Sequence, residues 1–177
     1  MKVFLSSLLL VSVFISSCDL DKKEAYDPIA QFNEDLKQID AYLATTSQTA
    51  IADPSGVRIV LSSIGMEGLP PKRNHTVNVK FKGTLLNGTV IEERTTESIL
   101  ESCMPGLVEG LEVLPEGSVA KLIIPSVLAF GKEGSAIVPP HSIVVYDVEL
   151  LDVEIPEAEQ NQFKQDTAAI NKFLAEN

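Results

Sequence analysis

Apolar residues recur every three or four positions in the segment that follows Asp27 and Pro28. An aspartate before a proline is a frequent helix start, because the carboxylate caps free N–H groups and proline suits the first helical turn. The apolar stripe consists of Ile29, Phe32, Leu36, Ile39 and Leu43. This spacing predicts an amphipathic helix that runs through Ala44 and packs its apolar face against another part of the chain.

After the turn residues 53–56 the pattern changes to short runs rich in β-branched and aliphatic residues. Strands are predicted at residues 57–64, 77–82, 118–124 and 142–153, with a tight turn at Asn87-Gly88. One short helix fits residues 106–114, where Gly110 weakens it and Pro115 ends it. Several strands with a single crossing helix predict an α+β domain, in which an antiparallel sheet of about five strands wraps around that helix.

Residues 157–177 return to a helical composition after Pro156. The segments QFNEDLKQIDAYLA (31–44) and QFKQDTAAINKFLA (162–175) share Gln, Phe, Asp, Ile, Leu and Ala at matching positions. The similarity is explained by chance between two amphipathic helices, by a repeated unit whose second copy is lost after its opening helix, or by two helices that pack alike on the domain. A coiled coil is disfavoured because neither stripe sustains three heptads.

The N-terminal segment has the features of an export signal. A basic start at Lys2 precedes a serine-diluted apolar stretch (3–15), and Ile15-Ser16-Ser17-Cys18 closes it. The stretch is too short to span a bilayer, which takes about 20 apolar residues. The ISSC ending resembles the lipobox of bacterial lipoproteins, which implies a signal peptide at 1–17, lipidation of Cys18 and a polar tether at 18–26. The alternative is an ordinary signal peptide with an incidental cysteine.

The composition argues against several kinds of binding partner. The chain of 177 residues has a net charge of −11, and this argues against nucleic acid and against electrostatic attraction to anionic lipid. With Cys18 lipidated, Cys103 has no partner for an intrachain disulfide. His75 and His141 are not spaced with other soft ligands, so no metal is expected and each is predicted to be a surface or loop histidine.

Four segments in order resemble the FKBP-type peptidyl-prolyl isomerases: VKFKGTLLNGTVIEE (79–93), MPGLVEGLEVLPEGSVAKLIIP (104–125), AFG (129–131) and IVPPHSIVVYDVELLDVE (137–154). The resemblance covers a domain at residues 56–154. It does not cover the helix and linker at 27–55 or the helix at 155–177. It implies a half-wrapped sheet with a short helix across it, and an apolar pocket between them that binds the proline of polypeptide segments without cofactor or metal.

The resemblance also implies roles for individual residues. Phe81, Glu92, Phe130 and Tyr146 would carry catalysis, with Phe81 as a wall, Glu92 as the nearby acid, Phe130 in the overhanging loop and Tyr146 on the far side. Substrate contacts would come from Ile91, Cys103, Met104 (through its N–H), Leu107 as the floor, Ile137 and Val138. The family typically has tyrosine at the positions of Phe81 and Phe130, tryptophan at Leu107, phenylalanine at Ile91 and aspartate at Glu92.

Two functions follow from these features. The first is a prolyl isomerase of exported proteins, lipid-anchored in the cell envelope and facing away from the cytoplasm. The departures at Phe130 and Leu107 favour weak catalysis, because a leucine offers less contact area than an aromatic floor. The second is a non-catalytic peptide-binding or chaperone module that keeps the groove. The same apolar residues would also fit an ordinary core. A hydrolase or transferase is disfavoured, since no nucleophile elbow or phosphate loop is present.

Overall fold

A computed structural model describes residues 26–65 and 68–176. The predicted signal peptide, the predicted lipidation site at Cys18 and most of the tether lie outside the described residues. The strands are β1 (Ile51–Ala52), β2 (Arg58–Ser63), β3 (Thr76–Leu85), β4 (Val90–Ile99), β5 (Val119–Ile124) and β6 (Val144–Glu154). The helices are α1 (Pro28–Thr46), α2 (Pro105–Leu111) and α3 (Glu157–Glu176), with 3₁₀ turns at Leu100–Ser102 and Ser126–Leu128.

The strands form one antiparallel sheet in the order β1-β2-β5-β6-β3-β4. The predicted α+β class with a sheet wrapped on a short helix is confirmed, but the sheet has six strands rather than about five. β4 was not predicted as a strand, because at the sheet edge only Ile91 among its residues is buried and its sequence lacks an apolar rhythm. The helix predicted at 106–114 ends earlier, at Leu111.

Side chains alternate between the two faces of the sheet, and each face carries its own helix. On the α2 face, Leu122 and Ile124 of β5 join Leu107 and Leu111 of α2 in the larger core. On the α1 face, a smaller cluster comprises Ile39 of α1 with Val60, Ile123, Ile143 and Val145. A period of two along each strand places neighbouring residues on opposite faces, so both helices rest on the same strands.

Helix α1 begins as predicted, since Asp27 Oδ1 accepts hydrogen bonds from the N–H groups of Ile29 and Ala30. Its predicted stripe is only partly buried: Ile39 is fully buried, whereas Ile29 is 70% exposed. Asp35 is also fully buried, and its Oδ2 accepts hydrogen bonds from the Ser126 N–H (2.7 Å) and Ser126 Oγ (2.6 Å). A buried carboxylate with these donors fixes α1 against the start of the second 3₁₀ turn.

Over residues 161–169, helix α3 does not pack on the domain as α1 does, because these side chains are all exposed. Glu159 in its first turn forms an ion pair with Lys72 and lies 3.2 Å from His75 Nε2. His75 lies in the loop before β3, which agrees with the prediction of a surface or loop histidine, but its side chain is only 3% exposed and its Nδ1 accepts the Lys72 N–H. His141 is exposed in its loop, as predicted.

Candidate functional site

A cleft of about 490 Å³ opens between α2, the inner side of β3 and β4, and the loop that follows the second 3₁₀ turn. It is lined by Phe81, Ile91, Glu92, Arg94, Thr96, Ser98, Ser102, Cys103, Met104, Leu107, Phe130, Ser135, Ile137 and Val138. Its inner end is apolar and closed, because Phe81, Ile91, Leu107 and Val138 are all buried core residues that present one surface to the cavity. Such a pocket suits a small apolar ring.

The depth of the cleft depends on how closely α2 approaches the sheet. A Cβ added at Gly106 would lie 2.1 Å from Ile124 Cγ2, and one at Gly110 would lie 2.5 Å from Leu122 Cδ1. Glycine is therefore required at both positions for this spacing. The approach places Leu107, between the two glycines in the chain, at the floor of the cleft.

Tyr146 stands behind the cleft wall, fully buried, with its ring edge-on to the Phe81 ring at a centroid distance of 5.5 Å. Its hydroxyl donates a hydrogen bond to Glu92 Oε1. Burial, together with this hydrogen bond, raises the pKa of Tyr146, so the phenol stays a neutral donor. Gly83 makes room for the ring, because a Cβ there would lie 2.9 Å from Tyr146 Cε1.

Glu92 is the centre of a small polar group at the cleft rim. Its second oxygen, Oε2, lies 3.4 Å from Arg94 Nε, and the Arg94 guanidinium lies over the Phe81 ring at 5.3 Å from the centroid. The Glu92 carboxylate thus has a buried phenol on one oxygen and an exposed cation on the other. These two contacts fix the orientation of the carboxylate.

The overhanging loop is held by short-range hydrogen bonds. The Gly134 N–H donates to the Phe130 carbonyl (3.1 Å), and the Ser135 N–H donates to the Val138 carbonyl (2.7 Å). The loop starts from Ser126, whose carbonyl accepts the Gly131 N–H at 2.8 Å. Since Asp35 holds Ser126 from the other side, α1 supports the cleft loop without touching the cleft.

At the opposite rim, the first 3₁₀ turn leads into α2 through Cys103 and Met104. The Cys103 thiol is partly exposed and lies 3.4 Å from Ser98 Oγ. Met104 is the N-cap residue of α2. N–H groups at a helix start lack acceptors within the helix and are free to bind a carbonyl.

The structure brings together all ten residues that the sequence assigned to the site. Nine of them line the cleft, whereas Tyr146 lies behind its wall rather than on its far side. The prediction missed a polar strip made of Arg94, Thr96 and Ser98 on β4 with Ser102 and Ser135. The available signal was the Asn87-Gly88 turn after β3, which calls for a returning strand whose alternate residues share one face.

Residues 26–65 and 68–176 contain no group of three His, Cys, Asp or Glu side chains that could hold a metal ion. Among the helices in the described part of the chain, none is long and apolar enough to cross a membrane.

Comparison with known proteins shows what the chain is similar to in sequence and in fold. Residues 68–151 match the model of the FKBP-type peptidyl-prolyl cis-trans isomerase family. The FKBP-type peptidyl-prolyl cis-trans isomerase FkpA of Aeromonas hydrophila is 32% identical over 139 residues, which are 75% of this chain and 52% of that protein. FkpA of Escherichia coli K12 is 42% identical over 93 residues, covering 50% of this chain and 34% of that protein. The chain thus spans about half or less of these relatives.

Solved structures of peptidyl-prolyl cis-trans isomerases have a similar fold. The crystal structure of FkpA from Escherichia coli superposes with a TM-score of 0.60 at 32% identity, over 71% of this chain and 64% of that chain. A peptidyl-prolyl cis-trans isomerase from Pseudomonas syringae superposes with a TM-score of 0.61 at 23% identity, over 75% of this chain and all of that chain, and this supports the fold alone. The domain at residues 68–151 therefore belongs to the FKBP-type peptidyl-prolyl cis-trans isomerase family.

Proposed function

We propose that this protein is a peptidyl-prolyl cis-trans isomerase that acts on Xaa-Pro bonds of exported proteins and assists their folding. The observation that carries the proposal is the closed apolar end of the cleft, formed by Phe81, Leu107 and Val138, beside a polar rim. A proline ring is small and apolar enough to enter such an end, while the flanking peptide groups remain at the rim.

The chemistry requires no covalent step. Rotation about an Xaa-Pro bond has a barrier of about 18–20 kcal/mol, because the planar amide loses its resonance on twisting. The twisted amide is less polar than the planar one, so a water-poor pocket stabilises it relative to the ground state. Phe81, Ile91, Leu107 and Val138 would supply that environment, with Leu107 under the proline ring.

The rim would orient the substrate chain. The Met104 N–H would bind a substrate carbonyl, with Cys103 and Ile137 beside the chain and Phe130 over it. Glu92 would face the twisting amide, and the Tyr146 hydroxyl would hold that carboxylate in place from behind. The family's hydroxyl at position 81 is absent here, and Tyr146 offers one from the other ring of the same aromatic pair.

An isomerisation assay on Xaa-Pro peptides tests the proposal. Peptides that vary in the residue before proline are followed with the unaltered chain and with a Leu107→Trp, Phe130→Tyr double variant. We expect the unaltered chain to accelerate isomerisation over buffer, and the double variant to be faster because it restores the family's aromatic floor and loop hydroxyl. Acceleration by the double variant alone would contradict isomerase function for the natural chain.

The polar strip favours a second candidate function, a non-catalytic peptide-binding or chaperone module. Arg94, Thr96, Ser98 and Ser102 extend the cleft beyond its apolar end, where a peptide backbone of any sequence could hydrogen-bond. Titration of two peptides that differ only by a proline-to-alanine change separates the two functions. Equal affinities for both peptides would support the module, and a clear preference for proline would support the isomerase.

We further propose that the protein is exported and anchored to a membrane through Cys18, facing away from the cytoplasm. What supports this is the sequence alone: the apolar stretch at 3–15, the ISSC ending and the polar tether. Mass spectrometry of the protein from its native envelope is the test, with Cys18→Ser as the control. An acylated N-terminal Cys18 is expected, and an unmodified Cys18 thiol would contradict the anchor.

A further inference from the structure

Helix α3 repeats the face by which α1 docks on the domain. The residues of α1 that are buried or half-buried at this contact form its docking face: Gln31, Phe32, Asp35, Leu36, Ile39, Tyr42 and Leu43. The corresponding residues of α3 are Gln162, Phe163, Asp166, Thr167, Ile170, Phe173 and Leu174. Five of these pairs are identical, Tyr42 and Phe173 are both aromatic, and only Leu36 is replaced by a polar residue.

The differences between the two helices fall on the other side of α1. Every further position at which they differ carries an exposed side chain in α1: Asn33, Glu34, Lys37, Gln38, Asp40 and Ala41. Chance similarity between two amphipathic helices does not explain why a buried aspartate and its glutamine partner are identical in both while the solvent-exposed positions differ. The repeat therefore preserves a binding surface rather than a general helical composition.

The two helices also share a side-chain geometry. In α1, Gln31 Nε2 donates to Asp35 Oδ1 at 2.7 Å, which leaves Oδ2 to accept both Ser126 groups. In α3, Gln162 Nε2 donates to Asp166 Oδ1 at 2.8 Å. Asp166 is exposed, so its second oxygen faces solvent. The equivalent oxygen of Asp35 accepts the hydrogen bonds from Ser126. The carboxylate of α3 is already oriented for the same docking contact.

The surface that accepts this face is the notch, which consists of Ser126 with Val60, Ile123, Ile143 and Val145. In this chain α1 fills it. The α3 helix begins just after the end of β6 at Glu154, next to Lys72 and His75. The notch residues Ile143 and Val145 lie at the other end of this strand, on either side of its first residue. A strand of eleven residues separates the two ends by about 35 Å. The exposed side chains of Gln162, Phe163, Asp166 and Thr167 thus point to a notch on another molecule.

We propose that α3 is a second docking helix, which binds the notch of a second copy of this chain in place of α1 and joins the two copies by reciprocal exchange. Two copies that exchange equivalent helices form a closed dimer with two equal contacts. The cleft loop keeps its support in such a dimer, because Asp166 offers Ser126 the same acceptor as Asp35. At low protein concentration α1 outcompetes the α3 helix of a second copy for the notch, because α1 belongs to the same chain as the notch. The fraction of exchanged dimer therefore increases with protein concentration.

The test measures binding of a labelled peptide with the sequence of residues 157–177 by fluorescence anisotropy. The partner is the chain with Asp35→Ala, which weakens α1 in the notch. We expect binding about tenfold tighter than to the unaltered chain, and an about tenfold loss when the peptide carries Asp166→Ala. Glu157 lies on the opposite side of the helix from Asp166, so a Glu157→Gln peptide is the matched control and should bind as the natural peptide does.

Equal binding of the Asp166→Ala and natural peptides, or no saturable binding to the Asp35→Ala chain, would overturn the proposal. If the Asp35→Ala chain does not fold, sedimentation equilibrium of the otherwise natural chain decides. A dimer that grows with concentration, is lost in Asp166→Ala and persists in Glu157→Gln supports the exchange. A chain that stays monomeric, or a dimer insensitive to Asp166→Ala, contradicts it.

Discussion

Helices α2 and α1 cover opposite faces of the same strands, but different means hold them there. α2 approaches β5 through Gly106 and Gly110 and makes apolar contacts. α1 buries a carboxylate, Asp35, whose acceptor oxygen fixes the start of the loop that carries Phe130. The comparison shows a division of roles: the α2 face of the sheet forms the cleft, and the α1 face positions the loop that covers the cleft.

Truncation of the apolar anchor of α1 should have the largest effect on stability. Ile39→Ala removes a fully buried side chain, and we expect a loss of about 3 kcal/mol in the free energy of unfolding. Urea denaturation measures it, with Ile29→Ala as the matched control, since Ile29 is exposed and its loss should change stability by about 0.5 kcal/mol or less. Equal effects of the two variants would show that α1 is not held by its buried face.

On the other face, Gly106→Ala should cost about 2 kcal/mol, because the new methyl group would overlap Ile124 and push α2 away from the sheet. Gly88→Ala is the comparison. A Cβ there meets no atom within 4 Å, so its cost is limited to the left-handed backbone, about 1 kcal/mol. Thermal unfolding of both variants measures the difference, and a Gly106→Ala protein as stable as the parent would refute the close approach.

The hydroxyl behind the cleft wall should affect catalysis more than stability. Tyr146→Phe removes the donor to Glu92, and we expect kcat/KM for Xaa-Pro peptides to fall about fivefold, or about 1 kcal/mol. Adding Phe81→Tyr to this variant should recover most of the loss, because the hydroxyl returns on the neighbouring ring. If the double variant is no faster than Tyr146→Phe, the position of the hydroxyl is not interchangeable between the two rings.

The contact at the start of α3 should depend weakly on pH. The hydrogen bond from Lys72, and then that from His75, lowers the pKa of Glu159 in the folded protein. A lowered pKa stabilises the folded state above the unfolded pKa of about 4.3, and this contribution is lost as the pH falls through the folded pKa. NMR shifts of the amides of residues 74–76 should report the change below that pH. Glu159→Gln should abolish it, and Glu157→Gln should leave it.

The sequence predicts most of the fold, because β3 and the ends of α1 carry strong local signals. The Val77-to-Phe81 alternation and the Asp27 cap are both realised. β4 escaped prediction because an edge strand with one buried residue has no apolar rhythm. The ten site residues were predicted through the resemblance to the FKBP-type family. Family motifs keep their order along the chain even where the residues show no helical or strand periodicity.

What the sequence could not give are contacts between distant residues. Asp35 and Ser126 are 91 positions apart, and a lone aspartate in a helical stripe carries no sign of its partner. The position of Tyr146 behind Phe81 likewise depends on the room left by Gly83 in a neighbouring strand. Such contacts depend on strand register and helix approach, which emerge only when the whole domain packs.

The most direct test of the central claim is NMR exchange spectroscopy on an Xaa-Pro peptide, with the unaltered chain, Leu107→Ala and Leu111→Ala. Both leucines belong to α2 and to the same core, but only Leu107 lines the cleft. At a temperature where all three proteins are folded, we expect the unaltered chain and Leu111→Ala to accelerate cis-trans exchange alike, and Leu107→Ala to be about tenfold slower. No acceleration by the unaltered chain, or equal losses in both variants, would contradict a prolyl isomerase site in this cleft.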